Sequence, residues 1–164
     1  MKLTEIQTMF DYNDWANHRL LTMSSKVTPE QFKASGSFPY GGLQGTLVHI
    51  LDAEYAWRMR LESDVQTQDL PVSDFPTVDV LEKRWKTEEL ALLKLLGGLT
   101  DEALNNVVRY TVDGGQKRER ILWHCLYHLV NHGTQHRSEA AALLTDLGQS
   151  PGDLDFTVYL NTKV

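Results

Sequence analysis

Cysteine is nearly absent from this sequence: Cys125 is the one example among 164 residues. An internal disulfide is therefore excluded, and this usage is typical of proteins from a reducing compartment, so we expect a cytoplasmic location. The pattern around Cys125 is apolar and predicts a buried, inert thiol rather than a metal ligand. Long apolar runs are also missing, because no segment reaches the roughly 18 residues of a membrane span. The first five residues lack the apolar core of a signal peptide.

Clustered positive charge is scarce as well. The formal net charge is −6, with 16 lysines and arginines against 22 acidic residues dispersed along the chain. A short basic cluster, Lys117, Arg118 and Arg120, is interpreted as solvated residues of a turn and a helix start. Because nucleic-acid surfaces need clustered Lys and Arg, we exclude nucleic acid as a partner.

Amphipathic helical patterns dominate what is present. Apolar residues recur at helical spacing in four long segments, at about 4–26, 43–62, 78–96 and 118–147. Between the third and the fourth, residues 107–112 are followed by Asp113-Gly114-Gly115, which predicts a β-hairpin. The sequence therefore predicts an all-α, antiparallel four-helix bundle with a small hairpin before the last long helix, in a single domain covering 1–164.

Four histidines follow one another at intervals of four residues in the last predicted helix: His124, His128, His132 and His136. Side chains four apart on a helix are neighbours, with Cβ atoms about 6 Å apart. Two neutral imidazoles at that distance can share a divalent metal ion. On a wheel of about 100° per residue, His136 and His132 lie about 20° and 60° from the centre of the apolar stripe. The last pair is thus predicted to share a metal rather than to be two hydrogen-bonded core histidines, and the first pair is predicted to be exposed.

A third ligand would have to come from elsewhere in the chain, because a catalytic zinc usually has three protein ligands. The remaining histidines are His18 and His49. His18 falls on the polar side of the first helix, whereas His49 has small neighbours that allow another helix or a ligand to approach. His49 is the better candidate, although spacing alone does not pair it with a distant helix.

Several other polar residues fall at positions that need an explanation. Asn13 and Asn17 lie inside the apolar face of the first helix, where they either hydrogen-bond another helix or line a polar cavity. Glu54 lies in the apolar stripe of the second helix; it orients a ligand, acts as a base, or pairs with a buried Arg or Asn. Glu139, one turn beyond the last histidine, is placed to hydrogen-bond it. Arg137 either meets an anionic substrate group or is solvated.

The back of the last helix carries aromatic and apolar residues that its core stripe does not use: Trp123, Tyr127, Val130 and Ala141. Such a group indicates that another surface covers it. We predict a homodimer contact. The alternative is that the C-terminal segment folds back onto it through Phe156, Val158, Tyr159 and Leu160.

Three stretches together resemble the DinB family over nearly the whole chain: DYNDWANHRLL at 11–21, LVHILDAE at 47–54, and HGTQHRSE at 132–139 continuing to LGQSP at 147–151. The resemblance implies an antiparallel four-helix bundle, frequently a homodimer, with a divalent metal on three histidines. Carried over by position, these ligands are His49, His132 and His136. Zinc or nickel is the first expectation, and iron or manganese fits the same ligands.

The resemblance also bears on activity. Relatives with assigned chemistry include thiol S-transferases and a thiol-dependent isomerase, in which the metal is thought to activate a low-molecular-weight thiol. We therefore expect a metal-dependent transferase or hydrolase that uses a metal-activated small thiol or water, with Glu54 and Glu139 as candidate catalytic acids. The alternative is a metal-binding or partner-binding helical bundle without catalysis.

Overall fold

Helices form most of the structure, a computed structural model that describes residues 1–63 and 65–163. Within that part of the chain, the four long helices are α1 (Leu3–Ser24), α3 (Leu43–Ser63), α4 (Val78–Gly97) and α5 (Leu122–Asp146), and the short ones are α2 (Pro29–Lys33) and α6 (Phe156–Asn161). The long helices correspond to the four predicted segments. None of the described helices is both long and apolar enough to cross a membrane.

Capping residues set several of these boundaries. The Thr28 hydroxyl accepts a hydrogen bond from the Gln31 backbone N–H at 3.2 Å, and the Gln31 side chain accepts from the Thr28 N–H at 2.9 Å. This reciprocal capping box begins α2. Thr77 caps α4 in a similar way. Beyond α5, Gly148 has a φ of +74°, a conformation that ends helices and suits glycine.

The hairpin is confirmed, and it corrects the predicted start of the last helix. Strand β1 (Val107–Val112) pairs antiparallel with β2 (Gln116–Ile121), from Val107 opposite Ile121 to Val112 opposite Gln116. The sequence pattern predicts helix from about residue 118. That prediction was wrong because 116–120 are all exposed and carry no apolar stripe, so backbone pairing with β1 decides their conformation. The basic cluster is therefore solvated on a strand, and α5 begins at Leu122.

Each long helix packs on two others. Helix α5 packs along both α3 and α1, and α4 packs against the same two helices. The buried apolar residues form two clusters, one around Leu20, Leu51 and Leu81, the other around Phe10 and Leu126. On each of the four long helices, buried polar side chains lie between the part of the helix that contributes to the first cluster and the part that contributes to the second.

Several of these buried polar residues join all four long helices through the carboxylate of Glu54. The side-chain amides of Asn13 and Asn17 donate to Oε1 of Glu54 at 2.8 and 2.9 Å, and the Trp85 indole donates to Oε2 at 2.7 Å. The amide oxygens accept from Nη1 of Arg137 at 2.5 and 3.1 Å. The two asparagines thus bind other helices, and Glu54 pairs with buried partners. Arg137 is 1% exposed, so the expectation that it is solvated was wrong, while a contact with an anionic substrate group stays a prediction.

Gly133 creates the space for this arrangement. A Cβ at Gly133 would lie 2.6 Å from Nη1 of Arg137 and 3.0 Å from Oδ1 of Asn13. The guanidinium also folds back along its own helix to Thr134, whose hydroxyl accepts at 2.9 Å. The space beside Gly133 is therefore filled by Arg137 and Asn13.

The C-terminal segment packs against α1, where Tyr12 meets the rings of Phe156 and Tyr159 at 5.4 and 5.9 Å between centroids. Val130 is buried in the same apolar cluster as Tyr159, with Trp123 and Phe156 packed against that cluster. Tyr127 remains 49% exposed. The C-terminal segment therefore folds back mainly onto α1 and shares one apolar cluster with α5, while the homodimer stays a prediction.

Replacing Glu54 with Gln should lower the free energy of unfolding by about 3–5 kcal/mol, because the buried guanidinium of Arg137 loses its compensating charge. Arg137→Met should lower the free energy of unfolding less in the Glu54→Gln variant than in the wild type. We expect this difference to be about 1 kcal/mol or more. Urea unfolding of the wild type, both single variants and the double variant measures this coupling. Glu82→Gln, at an exposed position of α4, is the control; strictly additive losses would contradict the assignment.

Candidate metal centre

Three histidines from two helices meet at one place. His49 comes from α3, and His132 and His136 come from α5; one ring nitrogen of each lies within 4.8 Å of the other two. The Nε2 atoms of His49 and His132 are 3.1 Å apart. The three ring centroids are separated by 4.5 to 4.9 Å. The three predicted ligand residues are therefore neighbours in space.

The donor set fits a divalent ion. Tetrahedral zinc with Zn–N bonds of about 2.0–2.1 Å holds its ligand nitrogens about 3.3–3.4 Å apart, close to the separation of His49 and His132. The Nδ1 atom of His132 is buried without a hydrogen-bond partner in the described part of the chain. Its ring is thus held by packing, and small movements of the rings would close the three nitrogens around an ion.

The electrostatics of the site keep these rings able to bind a cation. Burial, and next the neighbouring His136, lower the pKa of His49 to about 4. The pKa of His132 is also lowered to about 4, by burial first and then by His136 and His49. Both imidazoles are therefore neutral at pH 7, and each keeps a nitrogen lone pair for a metal.

Glu139 orients the third ring. Its Oε2 atom lies 2.8 Å from Nδ1 of His136, and we assign the proton to Nδ1 from this contact. The Nε2 lone pair of His136 is then left for a metal, and the ring orientation is fixed. The predicted hydrogen bond from the carboxylate to the last histidine is confirmed.

Tyr40 covers one side of the histidine group, and the sequence pattern did not reveal it. Its ring stacks on His49 with centroids 3.4 Å apart, and it meets His136 edge-on at 5.3 Å. The loop before α3 reaches this position because glycines let its backbone approach closely. A Cβ at Gly45 would lie 2.0 Å from the carbonyl oxygen of Tyr40, and Gly41 has a φ of +81°. The glycine-rich stretch before α3 is the sequence feature that could have indicated this close path of the loop.

Comparison with known proteins identifies the family of the chain. A family model described as the DinB family matches residues 1–163. The chain belongs to the DinB family. It is also similar to the protein named Protein DinB of Bacillus subtilis (strain 168), with 21% identity over 157 residues that cover 93% of this chain and 91% of that protein.

Glu54, the other candidate acid of this DinB-family chain, belongs to the buried network rather than to the histidine group. The pKa of its carboxyl is raised, by burial above all, and its hydrogen bonds and the Arg137 charge offset part of this rise. Because Asn13, Asn17 and Trp85 all donate to it, we assign the ionised form. Glu54 therefore fixes the position of α3.

The remaining histidines lie outside the group, as the helical wheel predicted for two of them. His124 and His128 are exposed, and His128 stands beside His132 with ring centroids 5.9 Å apart. His18 faces Glu89 at 3.2 Å. Cys125 is 2% exposed, and burial raises the pKa of its thiol, which supports the inert interpretation.

Glu139→Ala should weaken metal binding about 10- to 100-fold, because the His136 ring loses the partner that fixes its orientation. Competition for zinc against a chelator of known affinity measures the loss. Ser138→Ala is the matched control: Ser138 is exposed, and its hydroxyl bonds the Thr134 carbonyl rather than a histidine. Equal zinc affinities in the two variants would refute the orienting role.

Proposed function

We propose that this DinB-family chain is a metal-dependent enzyme that transfers or hydrolyses a small-molecule substrate. In this proposal His49, His132 and His136 hold one divalent ion. The observation that carries it is the convergence of three ring nitrogens from two helices within 4.8 Å, beside an orienting carboxylate. The ring of contacts among α1, α3, α4 and α5 supports the antiparallel four-helix bundle that the family implies.

The three neutral ligands define what the site can do. When bound, the ion would retain its positive charge and an open position, and would lower the pKa of a small thiol or water there. Zinc or nickel is proposed first, and iron or manganese suits the same imidazoles. A low-molecular-weight thiol is the proposed nucleophile, on the basis of the family resemblance.

The chain's own residues organise the reaction. Glu139 keeps a proton on Nδ1 of His136, so that its other nitrogen faces the ligand position. Tyr40, stacked on His49, shields that face of the ring from water. The Glu54 network holds α3 against α5. The homodimer and the cytoplasmic location remain predictions from the sequence.

His136→Ala should abolish both metal content and turnover, because the remaining two imidazoles leave the ion without its most buried ligand. Elemental analysis of protein purified without chelator or nickel-affinity resin gives the metal content, and a panel of thiols with electrophiles gives the rate. The matched control is His18→Ala, an exposed histidine of α1 that faces Glu89.

Normal metal content and turnover in His136→Ala would refute the proposal. A wild-type protein that binds metal but shows no rate above that of the free ion across the panel would favour the non-catalytic alternative.

A further inference from the structure

A cavity beside the histidine group takes no part in the proposed metal binding. It lies between α3, the hairpin and the start of α5 and has a volume of about 360 Å³. Its lining residues come from these three elements: Trp57, Tyr110, Arg120, His124, Cys125 and His128. That volume is large enough for a small organic molecule.

Three of the rings that line it lie close together. The Trp57 ring meets Tyr110 at 5.1 Å and His128 at 5.4 Å between centroids, with an interplanar angle of 62° in both pairs. The rings meet edge to face rather than stacked, and the Arg60 guanidinium lies over the Trp57 ring, 5.4 Å from its centroid. The ring surface that lines the cavity is what a guest can contact. Aromatic rings in such a setting favour a planar aromatic guest by offset or edge contacts.

The charge carried by the lining residues is positive. Among these six lining residues of the described chain, Arg120 is the only lysine, arginine or carboxylate. The neighbouring carboxylate, Glu119, pairs with Arg109 at 2.6 Å. Arg120 donates to the Glu119 backbone carbonyl, and it forms no ion pair with a described residue. Its charge is thus free to attract an anion.

The cavity also adjoins the proposed metal. On α5, His128 precedes His132 by one helical turn, and their ring centroids are 5.9 Å apart. On α3, Trp57 follows His49 by about two turns, or roughly 12 Å. A molecule in the cavity would therefore have one end about a helical turn from the ion.

We propose that this cavity binds a planar aromatic carboxylate that serves as a substrate of the metal centre. The ring lies among Trp57, Tyr110 and His128, and the carboxylate meets Arg120. The role as substrate rests on the proposed function, whereas the binding of the aromatic carboxylate does not need a metal.

Calorimetric titration of the metal-free protein with 2-naphthoate and its uncharged analogue 2-naphthamide tests the binding. Naphthoate should bind about fivefold more tightly at low salt, and the difference should shrink at high salt. Arg120→Gln should remove this preference. Lys117→Gln, an exposed charge of the same strand outside the lining, should preserve it.

Trp57→Leu should weaken naphthoate binding about tenfold or more, through loss of ring contact and buried area. Thermal unfolding checks that the variant is folded; if it is not, the naphthoate–naphthamide comparison and Arg120→Gln still decide. No binding, equal binding of both compounds, or binding unchanged by Arg120→Gln would overturn the proposal.

Loading the protein with Mn²⁺ tests the role as a substrate separately from the binding of the aromatic carboxylate. The bound Mn²⁺ should then speed the nuclear relaxation of the naphthoate protons. The size of this effect should correspond to a distance of about 6–12 Å between the protons and the ion. Binding without such relaxation in protein that has taken up Mn²⁺ would overturn the substrate role. Failure to take up a metal would overturn the proposed function, while the calorimetry on metal-free protein would still judge the cavity.

Discussion

The buried charges of Glu54 and Arg137 constrain the structure more than any other contact described above. A charge inside a helical core is costly unless it is compensated and hydrogen-bonded. Here the compensation is indirect, because Asn13 and Asn17 each donate to the carboxylate and accept from the guanidinium. The two charges compensate each other when α1, α3 and α5 have the rotation and height seen in the structure, and of the guanidinium nitrogens Nε alone is buried without a hydrogen-bond partner among the described residues. A one-residue slip of any of them would break the network.

The same constraint places the metal ligands. His49 lies five residues before Glu54 on α3, and His136 is the residue next to Arg137 on α5. Fixing the network therefore fixes which faces of α3 and α5 oppose each other. The three imidazoles meet at 4.5 to 4.9 Å between centroids as a consequence. Glu139 and Tyr40 then set the orientation of individual rings.

Local sequence patterns predict much of the fold and part of the candidate site, and they do not predict the remainder. Helical periodicity ranked the four spaced histidines correctly, because the angular position of a residue on an amphipathic helix largely sets whether it faces the core. It failed at residues 118–121, where cross-strand pairing with β1 determines the backbone. The burial of Arg137 depends on two asparagines more than a hundred positions away, and the position of Tyr40 depends on a loop path. Pairing His49 with α5 likewise needed the family resemblance, since no local pattern encodes contacts between distant helices.

Zinc-edge X-ray absorption on the zinc-loaded protein tests the centre most directly, because it reports the number and type of atoms bound to the ion. The account predicts three imidazole nitrogens at about 2.0–2.1 Å plus a light-atom ligand in the open position. Fewer than three imidazoles, or a sulfur ligand at about 2.3 Å, would contradict it.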